Sequence, residues 1–223
     1  MNIHDGHRDR LRKQFLEAGL DGFSDVNALE LLLFYAIPRA DVNPLAHELL
    51  RRFKSLNGVM SASVEELMEV DGIGESSAVM LKLIPEFVRK AATSDLRNSR
   101  QVTSPSIAAE YLIPRFMFEE NELALLLCLD ANKRIIRCDE ISRGVVNTVE
   151  LNTRLIAETA LRAKASSVIL SHNHPDGAVS PSTDDINTTK VLKKSLDLLG
   201  VQLVDHIIVS GEEYSSLCEL GYV

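Results

Sequence analysis

Cysteine is scarce in this sequence: there are three, Cys128, Cys138 and Cys218, and no C-x-x-C pair. An odd number of scattered thiols argues against a disulfide framework and against a cysteine zinc site, and it suits a reducing compartment. A surplus of basic residues is also missing. Lys and Arg number 24 against 32 Asp and Glu, a formal net charge of −8. Neither half is basic: residues 1–100 carry 13 against 15, and residues 101–223 carry 11 against 17. Proteins that live on phosphate backbones show a basic patch or stripe, so the charge count lends nucleic-acid binding no support. Long apolar runs are absent as well. The longest, Leu31 to Ile37 and Leu123 to Leu129, are far too short to span a bilayer. The opening MNIHDGHRDRLRKQF is charged throughout and lacks the apolar core of a signal peptide. A cytoplasmic protein with no membrane contact is expected, and its chain has no internal repeat or low-complexity tract.

What is present is an ordinary globular composition, 45% hydrophobic and 25% charged, in a length of 223 residues that suits two compact units. The first 92 residues read as short helices separated by stops. Leu11, Phe15 and Leu16 mark one apolar face; Asn27 precedes a second helix that ends at Pro38. Asn43-Pro44 opens a third, with Asn43 as cap and Leu45, Leu49, Leu50 and Phe53 at helical spacing. Ser63 with Glu66 is a capping-box signature. An apolar helix interrupted by Pro85 closes this half. Residues 93–101 gather Ser, Thr, Asn and Arg without apolar periodicity and are expected to be a linker.

From residue 102 to 223 the pattern alternates. ELALLLCLD and KRIIRCDEI flank the turn Asp130-Ala131-Asn132 and predict a hairpin. A helix follows over Thr153 to Lys164, then the strand SSVILS, a helix from about Thr183 to Leu199 stopped at Gly200, and the strand VQLVDHIIVS. Such alternation predicts an α/β domain with a mixed sheet and helices packed on it.

The chemically specific segment is SHNHPDGAVSPSTDD. His172 and His174 lie two apart at the end of an apolar strand, which puts both imidazoles on one side of an extended backbone. Pro175 and Gly177 turn the chain, Pro181-Ser182 starts a helix, and Asp185 falls in its first turn. Two His and a carboxylate form a common catalytic zinc shell with one position left for water. Ser182 and Asp185 serve equally well as a helix cap. His206, next to Asp205 on a strand, reads as a buried hydrogen-bonded pair or as a contact behind the metal ligands; His7 and His47 are expected to be solvated. No H-E-x-x-H is present, nor an H-x-E with P-C-x-x-C, which disfavours thermolysin-like and nucleobase-deaminase sites.

The pattern H-x-H, ten residues, then D, with Ser182 three before Asp185, resembles the signature of the MPN or JAB domain of JAMM metalloproteases. The fuller context, ELALLLCLDANKRIIRCDEISRG with VILSHNHPDGAVSPSTDDI and VDHIIV, is similar to the bacterial RadC family, also called UPF0758, and the helical half resembles the same proteins. Two stretches depart from that family's usual pattern: Asn152-Thr153-Arg154-Leu155, and Asp176 within HNHPDG. The resemblance implies an MPN/JAB fold, a cytidine-deaminase-like mixed sheet flanked by helices, preceded by a small all-α domain. It also implies one Zn2+ per chain on His172, His174 and Asp185. Glu122 would take a proton from the zinc-bound water and hand it to the leaving nitrogen, with Ser182 helping to hold the oxyanion. The substrate class would be a peptide or an isopeptide-linked protein.

A second reading attaches to Val70-Asp71-Gly72-Ile73-Gly74, which resembles a helix-hairpin-helix turn. Amides around Gly72, Ile73 and Gly74 are expected to donate to a DNA phosphate weakly and without sequence preference, although such hairpins also serve only to pack helices. In that reading the chain is a DNA-associated repair module, either a scaffold or a nuclease, with the zinc domain as an accessory.

Overall fold

The structure, a computed structural model, describes residues 3–99, 101–144, 153–175 and 177–223. Of the two departures noted above, Asn152 and Asp176 lie outside them, while Thr153, Arg154 and Leu155 begin a helix. Contacts divide the chain into residues 1–87 and residues 88–223.

The first unit is helical: α1 (Ile3–Ala18), α2 (Asp25–Ala36), α3 (Asn43–Phe53), α4 (Leu56–Ser61), α5 (Val64–Met68) and the beginning of α6 (Glu75–Ser99). Its core is built from Leu29, Leu33, Leu49, Val59, Leu67 and Leu81, all essentially inaccessible. The caps differ in part from expectation. Ser24 caps α2 by accepting from the Asn27 amide, so Asn27 is the capped residue rather than the cap. Asn43 is likewise inside α3, whose cap position, Val42, makes no side-chain bond; the Asn43 amide donates to Asp41 and its side chain to buried Glu30. Glu30 also receives His7 at 2.9 Å, so His7 is not a solvated residue but pins α1 to α2. Ser63 and Glu66 do form the capping box, over α5. α4, capped by Ser55, had no counterpart in the sequence pattern. Helix α6 runs through Pro85 to Ser99, so residues 93–99 of the expected linker are helical.

The second unit is an α/β domain. After α7 (Pro105–Phe116) come β1 (Leu123–Leu129), β2 (Ile135–Arg143), α8 (Thr153–Arg162), β3 (Ser167–Asn173), α9 (Thr183–Asp197), β4 (Gln202–Ser210) and β5 (Glu213–Ser216). The sheet order is β2-β1-β3-β4-β5. The sheet is mixed, with β3 and β4 parallel and the other neighbours antiparallel. A parallel pair needs a crossover, and α9 supplies it. The β1-β2 hairpin closes as expected at Asp130, whose side chain accepts the amides of Asn132 and Arg134.

Because strand side chains alternate, the sheet has two apolar faces. Ala124, Leu126, Val168 and Leu170 meet Ile156, Ala160, Leu192 and Leu196 on the α8/α9 side. Leu125, Leu127, Ile169 and Val209 meet Tyr111, Leu112 and Phe116 on the α7 side. Helices cover both faces, so β1 and β3 are buried along their whole length, and the end of β3 beside α9 is where a polar cluster emerges.

Candidate metal centre

His172 is on β3 with the parity of Val168 and Leu170, so its ring points to the α9 side. His174 follows the strand end, where its amide still donates to Val209 of the neighbouring strand (2.8 Å). The chain then turns through Gly177, which takes φ +96°, a conformation L side chains rarely adopt. The turn brings the Ala178 carbonyl within 2.5 Å of His174 Nδ1. A carbonyl only accepts, so Nδ1 carries a proton, and Nε2 is the nitrogen that His174 turns toward His172 and Asp185.

Asp185 enters from the first turn of α9. The Ser182 hydroxyl accepts its amide at 3.1 Å, while its Oδ2 accepts the Ser182 amide at 2.8 Å and the Ser182 hydroxyl at 2.7 Å. This capping box satisfies amides that a helix N-terminus otherwise leaves without partners. The carboxylate is thereby held facing the strand end. Asp185 Oδ1 is 3.3 Å from His172 Nε2 and Oδ2 is 3.8 Å from His174 Nε2, while the two Nε2 atoms are 2.9 Å apart. The Ser182 hydroxyl proton goes to Asp185, so Ser182 caps α9 and aims the carboxylate.

The three residues converge, with one donor atom from each within 4.8 Å of the others. Burial is deep for two of them: His172 is 3% and Asp185 2% exposed. Burial pushes the His172 imidazole down to about 4, with the Asp185 carboxylate opposing the shift and His174 adding to it. His172 is therefore neutral at pH 7, the state in which imidazole is a ligand. The donor set fits zinc. Ligands at Zn–N distances of about 2.0–2.1 Å in a tetrahedron lie roughly 3.3 Å apart, so the two rings need to part by only a few tenths of an ångström.

Glu122 immediately precedes β1 and is half-buried. Ala124 pairs with His172 in the antiparallel ladder, so the same register carries Glu122 to the position opposite His174. Sequence reasoning missed Asn173, the residue between the two histidines. It points to the opposite face, where Oδ1 accepts the Leu123 amide at 2.7 Å and Nδ2 donates to the Asn121 carbonyl at 3.1 Å. Glu122 is thus bracketed by one side chain. Its signal in the sequence was only its place in H-N-H.

Of the two readings of His206, the ring makes the contact behind His172. Asp205 accepts the backbone amide of His206, not its ring, and is otherwise held by Ser216 and the Cys218 amide. The ring of His206 lies between His172 and Thr189.

A profile described as the RadC-like JAB domain matches residues 102–222, and one described as UPF0758 N-terminal matches residues 5–79. The chain is 36% identical over 225 residues to a UPF0758 protein of Fusobacterium nucleatum subsp. nucleatum, with 98% of this chain and 97% of that one covered. The chain belongs to the UPF0758 family and carries a RadC-like JAB domain. The RadC-like region contains the whole sheet and every residue of the His172, His174 and Asp185 cluster. The N-terminal UPF0758 region contains the glycine turn. There Gly72 takes φ +95° and Ile73 is buried, while the Gly74 carbonyl accepts the Ser77 and Ala78 amides that begin α6. A cavity of about 390 Å³ beside Gly72 is lined by Asp41, Glu48 and Asp71. Three carboxylates there work against a phosphate. Among the described residues no helix is long and apolar enough to cross a membrane.

Proposed function

We propose that this protein is a single-zinc amide hydrolase of the JAMM type, a metallopeptidase or isopeptidase, acting in the cytoplasm. The observation that carries the reading is the pair of imidazole Nε2 atoms 2.9 Å apart beside a buried carboxylate, a set of donors that face one another across the place for a cation. His172, His174 and Asp185 would hold a zinc ion, which would supply an acidified water and a Lewis acid for the carbonyl under attack. The chain's own residues do the rest. Glu122 accepts the proton of the attacking water and delivers it to the departing nitrogen, which needs a carboxylate on the same face as the ligands. Asn173 holds that segment at the depth of His174. Ser182 keeps Asp185 turned toward the rings.

A cleft of about 340 Å³ runs past His174 and Pro175 between Phe116, Phe118, Val209 and Glu212. An extended chain with apolar side chains fits such a groove, which supports a peptide rather than a small amide as substrate. The acid surroundings of Gly72 make the hairpin an unfavourable phosphate site, and we assign it to helix packing.

The test is Glu122→Gln. Glutamine keeps the size and cannot take the proton, so hydrolysis of a peptide library should fall by about 10²–10⁴-fold while zinc stays at one per chain. A zinc-loaded Glu122→Gln protein with full activity would remove Glu122 from the mechanism. Cleavage of duplex DNA by the zinc-loaded wild type, with peptides untouched, would replace the peptidase reading by a nuclease.

A further inference from the structure

His172 has a bare Nε2 only if its proton is on Nδ1, and nothing in H-x-H chemistry ensures that. A free imidazole exchanges between two tautomers, and the wrong one would aim an N–H at the metal. On this chain the choice is forced by three hydrogen bonds that end in a carbonyl. The Thr189 hydroxyl is 2.6 Å from the Asp185 carbonyl oxygen, one helical turn earlier on α9. A carbonyl cannot donate, so the only proton of that hydroxyl is spent there. Thr189 Oγ1 is also 2.6 Å from His206 Nδ1 and has only lone pairs left, so His206 must donate from Nδ1. Its Nε2 is then an acceptor. That acceptor is 2.9 Å from His172 Nδ1, which must donate, leaving His172 Nε2 without a proton. Reversing any one step places two lone pairs or two protons against each other in a site where water does not compensate, since Thr189 and His206 are completely buried.

We propose that Thr189 and His206 are positioning residues that lock His172 in its Nδ1–H tautomer, so that its Nε2 is kept bare for the metal. The proposal rests on the zinc reading above. It also explains why a polar chain is buried on a sheet face that Val168 and Leu170 otherwise make apolar. The His174 proton is fixed independently by Ala178, so both rings are set by hydrogen bonds that terminate in backbone carbonyls. His206 contributes no ligand atom; its role is to pass the orientation of an α9 hydroxyl through β4 to a β3 ligand. The relay joins the three elements that bound the site.

The tautomers can be read directly. Long-range ¹H–¹⁵N spectra of the metal-free full-length protein should show His172 and His206 both protonated on Nδ1. A His172 signal protonated on Nε2 would overturn the relay whatever the variants do. The affinity arm uses zinc competed against a chromophoric chelator, with Co2+ absorption as the signature of ligand geometry. Thr189→Val keeps the shape and removes the oxygen, and should weaken zinc by about 10–100-fold and alter the Co2+ spectrum. Thr189→Ser keeps the hydroxyl and should restore both. His206→Gln, whose amide oxygen can accept from His172 while its NH₂ donates to Thr189, should retain more affinity than His206→Leu. Thermal melts of the metal-free proteins separate the relay from folding, because a residue that only packs would lower the melting temperature and leave the zinc affinity of the folded protein unchanged. Unchanged zinc affinity in a folded Thr189→Val protein would sink the relay alone. A wild-type chain that holds no zinc would overturn the zinc reading and the relay together.

Discussion

Each unit of this protein contains a capping box, and the two are nearly superposable in their bonds. In the first unit the Ser63 amide donates to Glu66 at 2.8 Å and the Glu66 amide to Ser63 at 3.1 Å. In the second the Ser182 amide donates to Asp185 at 2.8 Å and the Asp185 amide to Ser182 at 3.1 Å. One box ends there, on a helix of five residues whose Glu66 is exposed. The other has a buried strand end aimed at its carboxylate, with His172 Nε2 at 3.3 Å. A local motif therefore says where a helix starts and nothing about chemistry; what turns a cap into a ligand is the long-range delivery of two imidazoles to the same spot.

The sharpest way to separate the boxes is to remove both acids. Asp185→Ala should abolish stoichiometric zinc and also destabilise the second unit, by about 1 kcal/mol for the cap alone. Glu66→Ala should cost about 1 kcal/mol or less and leave one zinc per chain. Metal analysis and urea melts read both quantities, and loss of zinc in Glu66→Ala would break the distinction. His174→Ala, which touches no cap, should lose zinc with little change in metal-free stability.

Next in size is Asn173→Ala. Without its two bonds the Glu122 segment loses its clamp, and a displacement near 1 Å costs roughly 10²-fold in rate. The expected result is a kcat lowered by about 10–100-fold in protein that still holds zinc, measured by stopped assays on zinc-loaded samples. Loss of zinc with unchanged kcat per bound metal would show instead that Asn173 supports the ligands.

Acid should also tell the units apart. Burial holds His172 at about 4, against 6.5 ordinarily, and pushes His206 well below its ordinary value, with His172 and His174 adding to that shift. Both stay neutral in the metal-free fold while the unfolded chain takes up protons, so unfolding consumes protons below pH 6.5. The stability of the second unit is then complete above that range and falls as the pH drops toward 4. Glu66 in the first unit is held below its ordinary 4.5 by hydrogen bonds from the Ser63 backbone and side chain. Its contribution is present above 4.5 and is lost only as the pH falls below it. Hydrogen exchange of the chelator-treated protein between pH 7 and 4 should show the second unit loosening first, and the reverse order would contradict the burial of both rings.

The smallest effect belongs to the glycine turn. Duplex DNA at low salt should bind the full chain no tighter than the non-specific range of about 10⁻⁴–10⁻⁶ M, and neutralising the cavity with Asp71→Asn and Glu48→Gln should tighten it only a few-fold. Nanomolar binding in the wild type would place a phosphate site elsewhere.

The His172, His174 and Asp185 cluster was legible in the sequence because it is local: fourteen residues carry both imidazoles, the turn and the carboxylate. The α/β alternation was legible for the same reason, each element writing its own period. What escaped depends on partners far along the chain. Asn173 acts across an antiparallel ladder, and the Thr189–His206 contact needs α9 packed on a parallel β3–β4 pair. Helix α7 was hidden by prolines near both ends, Pro105 at a tolerated first-turn position and Pro114 near the close. Strand β5, EYSS, is too short and polar to show alternation. The polar run at residues 93–99 read as a linker because composition alone separates a solvated helix from a loop poorly, and the caps at Ser24 and Val42 shifted because more than one candidate residue was available nearby.

Asp185 has an obligation to the backbone as well as to the two rings it faces, and this restricts how the site can drift. An imidazole at position 185 would give a three-histidine shell of the kind some zinc enzymes use, but it could not accept the Ser182 amide and hydroxyl together, and α9 would start badly. Glutamate keeps the box, as Glu66 shows at the equivalent place, yet its extra methylene would drive the oxygens into rings already 3.3 Å away. Asparagine keeps one acceptor and forfeits the charge. The helix start thus acts as a filter on ligand exchange: few single changes at 185 satisfy both claims, and the metal preference of this scaffold is tied to the thermodynamics of one helical turn.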